Sequence, residues 1–191
     1  MIETEAQVMQ KIKELDSDLD RFGARRKLKN RVNAILVGGA GLIVKYALER
    51  ATDDIDVVPP LKAAGMFGSV GSLMANHGLH VVNETIMLLH PDYEERIQPL
   101  WESANLCVFI LDARDYAISK IGRGLEKDIA DVLRSNLLDD IQLPKLEELY
   151  FEAMSYWIGD ERRFRGNWEA FMRRFEKEIL KTNKISHGNS R

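Results

Sequence analysis

A single cysteine, Cys107, leaves no internal disulfide to form, and its apolar surroundings, Leu106–Leu111, fit a buried structural thiol better than a reactive one. The four histidines, His77, His80, His90 and His187, show no zinc-ligand spacing with cysteine, which argues against a zinc centre. No apolar run approaches the roughly 20 residues that a membrane span needs. The segment Met1-Ile2-Glu3-Thr4-Glu5 lacks the basic and apolar regions of a signal peptide, so a cytoplasmic protein is expected. A net charge of −3 provides no global attraction for nucleic acid, although a local basic patch could still bind it. Internal repeats and low-complexity segments are also missing.

What remains is an ordinary globular composition: 45% hydrophobic and 30% charged residues in a chain of 191. That length suits one domain with a real core, or a small catalytic domain with a helical appendage. Val8, Ile12, Leu15, Leu19 and Phe22 recur at helical spacing with charges between them, predicting an amphipathic first helix that covers a sheet. The basic cluster Arg25, Arg26, Lys27, Lys29 and Arg31 follows; it reads as a solvated helix end rather than a binding site.

The segment Ile35–Gly41 carries more chemistry. An apolar strand ends at Gly38-Gly39, and a helical pattern over Ala40–Glu49 follows, an arrangement that lets a backbone approach phosphate at a helix start. Asp54-Ile55-Asp56-Val57-Val58, stopped by Pro59-Pro60, reads as a short strand with both aspartates on one face. Two adjacent carboxylates repel, and a cation between them resolves the repulsion; a hard divalent ion such as Mg²⁺ suits oxygen ligands shared with phosphates. The alternative is that Thr52, Asp53 and Asp54 cap a turn, with Asp56 at a strand edge. A lone Asp-x-Asp favours that alternative, and the upstream Gly-Gly tips the balance towards the cation.

At these residues the sequence resembles the nucleotidyltransferase superfamily that includes polymerase β, and within it the small prokaryotic proteins similar to the AbiEii abortive-infection toxins. Gly38, Gly39, Gly41, Leu42, Arg50, Thr52, Asp54, Ile55 and Asp56 stand where that pattern has them. A third carboxylate is expected from the resemblance on a strand beside the Asp-x-Asp strand. Leu79–Val82 and Thr85–Leu89 are predicted as two strands around Asn83-Glu84, and Ile86–Leu89 holds no acid; Glu84 and Asp92 are the nearest substitutes.

Leu106–Leu111 predicts a further strand, with Asp112 as the N-cap of a helix reaching Gly122-Arg123-Gly124 and a second helix over Leu125–Leu133. Lys120, Lys127, Asp128 and Asp131 resemble a second block of the same family, a lysine followed on the next helix by Lys/Arg-Asp-x-x-Asp. The resemblance implies that Lys120 holds triphosphate oxygens, and that Asp128 or Asp131 orients Lys120, contacts the nucleotide or accepts a proton. An ordinary intra-helical charge network is the competing view of the aspartates. Gly65, Gly68 and Gly71 predict the flat side of a helix close to a neighbour, with Ala64, Phe67, Val70 and Met74 as its apolar stripe.

Beyond a junction at 136–144, Leu146, Leu149, Tyr150, Ala153 and Trp157 stripe one helix, and Phe164, Trp168, Phe171, Phe175 and Ile179 another. The expectation is an α/β (α+β) nucleotidyltransferase fold: a domain at 1–140 with a small mixed sheet covered by helices, a C-terminal hairpin at 141–182 and a disordered tail at 183–191. The resemblance implies Mg²⁺-dependent transfer of a nucleoside monophosphate from a nucleoside triphosphate to an RNA, such as tRNA, or a protein. Asp54 and Asp56 would bind the metal, Gly38, Gly39, Arg50, Thr52 and Lys120 the nucleotide, and Asp54, Asp56, Lys120 and Asp128 would serve catalysis. It also implies a toxin–antitoxin or defence setting with a cognate partner. A catalytically inactive nucleotide-binding or partner-binding protein, an antitoxin or scaffold that keeps the fold, is the alternative.

Overall fold

The computed structural model describes residues 1–26, 31–60, 67–82, 87–139, 141–157 and 159–188. Its centre is a mixed five-stranded sheet, β1 (Val32–Leu36), β2 (Ile55–Val58), β3 (Leu79–Val81), β4 (Gln98–Glu102) and β5 (Leu106–Ile110), in the order β3-β2-β1-β5-β4. The central strand β1 runs parallel to β5 and antiparallel to β2, while β2 and β3 are parallel and β4 and β5 antiparallel. Both β1 and β5 are nearly continuous apolar runs, as befits strands with neighbours on both sides.

Helix α1 (Glu5–Arg26) buries Val8, Ile12, Leu15 and Leu19 completely and packs on α2 (Gly38–Lys45) and α3 (Phe67–Asn76). Its Asp16 accepts hydrogen bonds from Trp101 Nε1 at 3.1 Å and Ser103 Oγ at 2.6 Å, which fastens the helix to the β4 edge. Helix α2 starts earlier and stops earlier than the periodicity suggested. Tyr46 closes it, and Ala47 follows in a left-handed conformation with φ 51° that ordinary residues avoid.

Two further expectations change. Met87–Leu89 form no strand, and Thr85, Ile86 and Glu84 lie outside the described residues. Leu88 is instead buried against Gly122, where a Cβ would come within 2.7 Å of the leucine side chain, so this apolar run serves helix packing rather than the sheet. Gly71 meets nothing within 4 Å of a built Cβ, so it faces open space rather than a close neighbour; Gly65 lies outside the described residues. Val70 and Met74 of α3 are buried as expected.

Helix α4 (Ala113–Arg123) begins where Asp112 accepts from Arg114 N at 3.0 Å and ends at Gly124, left-handed at φ 70°. Helix α5 (Glu126–Arg134) follows. The C-terminal pair, α6 (Leu143–Ser155) and α7 (Glu161–Gly188), encloses Tyr150, Trp168 and Phe171, and Tyr150 Oη donates to Phe164 O at 2.8 Å. Ile179, expected in the stripe, is 43% exposed. Helical backbone in α7 extends into the stretch read from the sequence as a tail. Asn167 Nδ2 donates to Gly122 O at 2.8 Å, joining α7 to α4. Among the described residues, no helix is long and apolar enough to cross a membrane.

Candidate functional site

One cleft collects residues from widely separated parts of the chain: Val37, Gly38, Asp56, Val82, Met87, Tyr116, Ser119, Lys120 and Arg123. Its floor is set by backbone pairing. Val37 N donates to Asp56 O at 2.9 Å, which brings the start of α2 beside the middle of β2. Gly38 adopts φ +69°, and a Cβ there would lie 2.6 Å from Asp56 Oδ2, so glycine is required both for the turn and for the carboxylate. The first amides of α2 have no partner within the helix, and Val37 supplies no side-chain cap, so the helix start presents free donors to an anion.

The opposite wall comes from α4, whose Lys120 and Arg123 are three apart and therefore share a helix face. Behind them stands a buried charge network. Lys120 Nζ lies 3.1 Å from Asp128 Oδ1 and 2.8 Å from Asp131 Oδ2, and all three side chains are at most 4% exposed. Arg123 binds both oxygens of Asp128, and Arg50 binds both oxygens of Asp131 at 2.9 Å. Burial alone would raise the Asp128 carboxyl, but the Arg123 hydrogen bonds and the Lys120 charge outweigh it and hold Asp128 below the usual carboxylate range. Both carboxylates are paired with cations, Asp128 with Lys120 and Arg123 and Asp131 with Lys120 and Arg50.

Asp56 behaves in the opposite sense. Burial pushes its carboxyl up and the Asp54 charge adds to the rise, against the pull of Arg123, His80 and Lys120. Asp54 is 58% exposed at the entry to β2, outside the cleft wall, and its Oδ1 lies 3.3 Å from His80 Nε2. His80 is the register partner of Asp56 across the β2–β3 pair. Of the two strands beside Asp-x-Asp, β1 and β3, it is β3 that faces Asp56 with a polar side chain, and that side chain is an imidazole instead of the expected carboxylate.

Of the residues singled out in the sequence, Gly38, Asp56 and Lys120 meet in the cleft, and Arg50 reaches Lys120 through Asp131. Gly39 faces away from the cleft wall: a Cβ there would lie 3.2 Å from Thr52 Oγ1 and 3.8 Å from Arg50 Nη2. Thr52 pairs with Ile2 through reciprocal backbone bonds of 2.6 and 2.8 Å, which holds the turn before Asp54. Arg123 and His80 escaped the sequence reading. Arg123 was detectable as the residue one helical turn after Lys120, and His80 as a polar residue within the apolar run Leu79–Val82.

Among the described residues, no three His, Cys, Asp or Glu side chains are grouped so as to hold a metal ion by themselves. The chemistry of the donors nevertheless suits a divalent cation with fewer protein ligands. Four carboxylates, Asp54, Asp56, Asp128 and Asp131, stand against three cations, Arg50, Lys120 and Arg123, so a bound polyphosphate would deepen a negative excess. A divalent ion that takes one or two carboxylates and completes its shell with phosphate oxygens and water fits that balance.

No curated protein and no solved structure matches the chain. Residues 10–176 match the family described as nucleotidyltransferase of unknown function (DUF6036). With most of its length so matched, the chain belongs to this nucleotidyltransferase family.

Proposed function

We propose that the cleft binds a nucleoside triphosphate and that the protein transfers its nucleoside monophosphate to an acceptor hydroxyl. The observation that carries this assignment is the meeting of the α2 start and Asp56 with Lys120 and Arg123 across one cleft. The free amides of α2 face the phosphates, and Lys120 and Arg123 lie where charge grows on the leaving pyrophosphate. The acceptor oxygen forms a bond to the α-phosphorus, the bond from that phosphorus to the bridging oxygen breaks, and pyrophosphate departs with the electron pair. The acceptor's proton passes to solvent. Asp54 and Asp56 are the oxygen donors for a divalent cation, with Mg²⁺ the ion expected from the family resemblance, and such an ion supplies charge neutralisation at the phosphates. Asp128 and Asp131 hold the cations in place.

The resemblance of the two motif blocks to AbiEii-like proteins supports an RNA or protein acceptor, tRNA among them, and a toxin–antitoxin setting with a cognate partner. Incubating the protein with Mg²⁺, each labelled triphosphate and a cell extract tests transfer. Label should move to an acceptor with wild type and stay on the triphosphate with Asp54→Ala. Transfer that persists in Asp54→Ala rules out the proposed chemistry.

A second reading rests on β3, where His80 stands in place of an acid. It gives a catalytically inactive protein that keeps nucleotide or partner binding. Triphosphate binding without transfer to any acceptor in the extract would favour it.

A further inference from the structure

A nitrogen donor, His80, stands beside the aspartate pair. Parallel pairing of β2 with β3 puts His80 opposite Asp56, so their side chains leave the same face of the sheet. On that face His80 Nε2 and Asp54 Oδ1 are 3.3 Å apart. Two ligands at adjacent corners of an octahedral ion with bonds of about 2.1 Å are separated by about 3 Å, close to this spacing. Both side chains are about half exposed, at 49% and 58%, and an exposed pair of this kind adds little to stability. Its position, with His80 in register with Asp56 and against Asp54, puts one nitrogen and two carboxylates on one face of the sheet, an arrangement that suits a bound ion.

We propose that Asp54 and His80 together grip the divalent cation that accompanies the triphosphate, one through oxygen and one through nitrogen, and that this pair selects a transition-series ion of the Mn²⁺ type over Mg²⁺. Imidazole is a poor ligand for Mg²⁺, which favours an all-oxygen shell, and a good one for borderline transition ions. Asp56 remains the second oxygen donor, and phosphate oxygens and water complete the coordination. The proposal rests on the nucleotide assignment only for the source of those phosphate oxygens.

Pulsed electron paramagnetic resonance of bound Mn²⁺ reads the ligand directly, because a coordinated imidazole nitrogen modulates the electron spin echo. Wild type, His80→Ala and His80→Asp are compared with Mn²⁺ alone and then with Mn²⁺ plus a non-hydrolysable triphosphate. Competition with Mg²⁺ gives the preference, and melting temperature checks that each variant folds. The expected result is nitrogen modulation in wild type that is lost in both variants, with Mn²⁺ preferred in wild type and the preference reduced in His80→Asp. Bound Mn²⁺ without nitrogen modulation in wild type overturns the proposal, as does modulation that survives His80→Ala or Mg²⁺ binding as tight as Mn²⁺. Should Mn²⁺ alone give His80-dependent modulation while the triphosphate fails to bind, the ligand pair stands and nucleotide transfer falls. Should the triphosphate bind without modulation, the ligand pair falls and nucleotide binding stands.

Discussion

Gly38 and Asp56 are in contact so close that only hydrogen fits between them: a Cβ on the glycine would lie 2.6 Å from the aspartate Oδ2 and 3.3 Å from its Cβ. Gly38→Ala therefore has two effects. The left-handed φ of +69° costs an alanine about 1–2 kcal/mol, and the methyl displaces the carboxylate. Denaturant unfolding should show at least that loss, and nucleotide transfer should fall further than stability alone explains.

Asp56→Asn should stabilise the fold at neutral pH while abolishing transfer. Because burial and Asp54 raise the folded-state pKa of Asp56 above 3.8, ionising it opposes folding. That penalty is fully present above the raised value and disappears as pH falls through it towards the unfolded value. Melting curves of the two proteins should therefore differ at pH 7 and converge near pH 3; a variant less stable than wild type at pH 7 would contradict the stated origin of the shift.

Asp128→Asn should have the reverse signature. Asp128 is fully buried and its carboxyl is held below the ordinary value, so its stabilising contribution is present above pH 3.8 and is lost as pH falls through the depressed folded value. Removing the charge leaves Lys120 and Arg123 short of a partner. Breaking a buried pair costs about 3 kcal/mol, at the low end of its range because Arg123 is 47% exposed. Equilibrium unfolding as a function of pH measures both the size and the acid convergence. Triphosphate affinity should fall as well, since both cations lose their orientation.

Tyr116 Oη donates to Leu36 O at 2.7 Å from a fully buried position, and a Cβ on Gly41 would lie 1.6 Å from the same oxygen. Tyr116→Phe should cost about 1 kcal/mol, the net value of one hydrogen bond. Gly41→Ala should cost more, because its methyl must push the ring away from the cleft wall. Gly41→Ala in the Tyr116→Phe background should be milder than in wild type, and additive losses would argue against the clash.

Much of this architecture is written in local patterns. Val8, Ile12, Leu15 and Leu19 announce α1, Asp112 and Gly124 bracket α4, and Gly38 ahead of Asp56 marks the cleft, with Gly39 and Asp54 beside it but outside its wall. What stayed hidden depends on partners far along the chain. β4 escaped notice because Pro99 interrupts its pattern, which the sheet tolerates at an edge where the register shifts between Pro99 and Trp101. The run ending in Leu88 and Leu89 looked like a strand because it is apolar, yet Leu88 is apolar to pack on Gly122 of α4. Asp128 and Asp131 are visibly three apart on one helix, but nothing local says that the face turns inward towards Lys120, Arg123 and Arg50. His80 was read only as a residue without cysteine partners, since its relation to Asp56 exists only once β3 lies beside β2.

The split of the cleft between two distant stretches has a consequence for synthesis. The glycine turn and both strand aspartates leave the ribosome well before α4 and α5, which carry Lys120, Arg123 and their carboxylate anchors. A nascent chain that has formed only β1 to β3 has Asp54, Asp56 and Arg50 but lacks Lys120 and Arg123. The cleft is therefore complete only once α5 is in place, since its Asp128 holds Lys120 and Arg123 of α4.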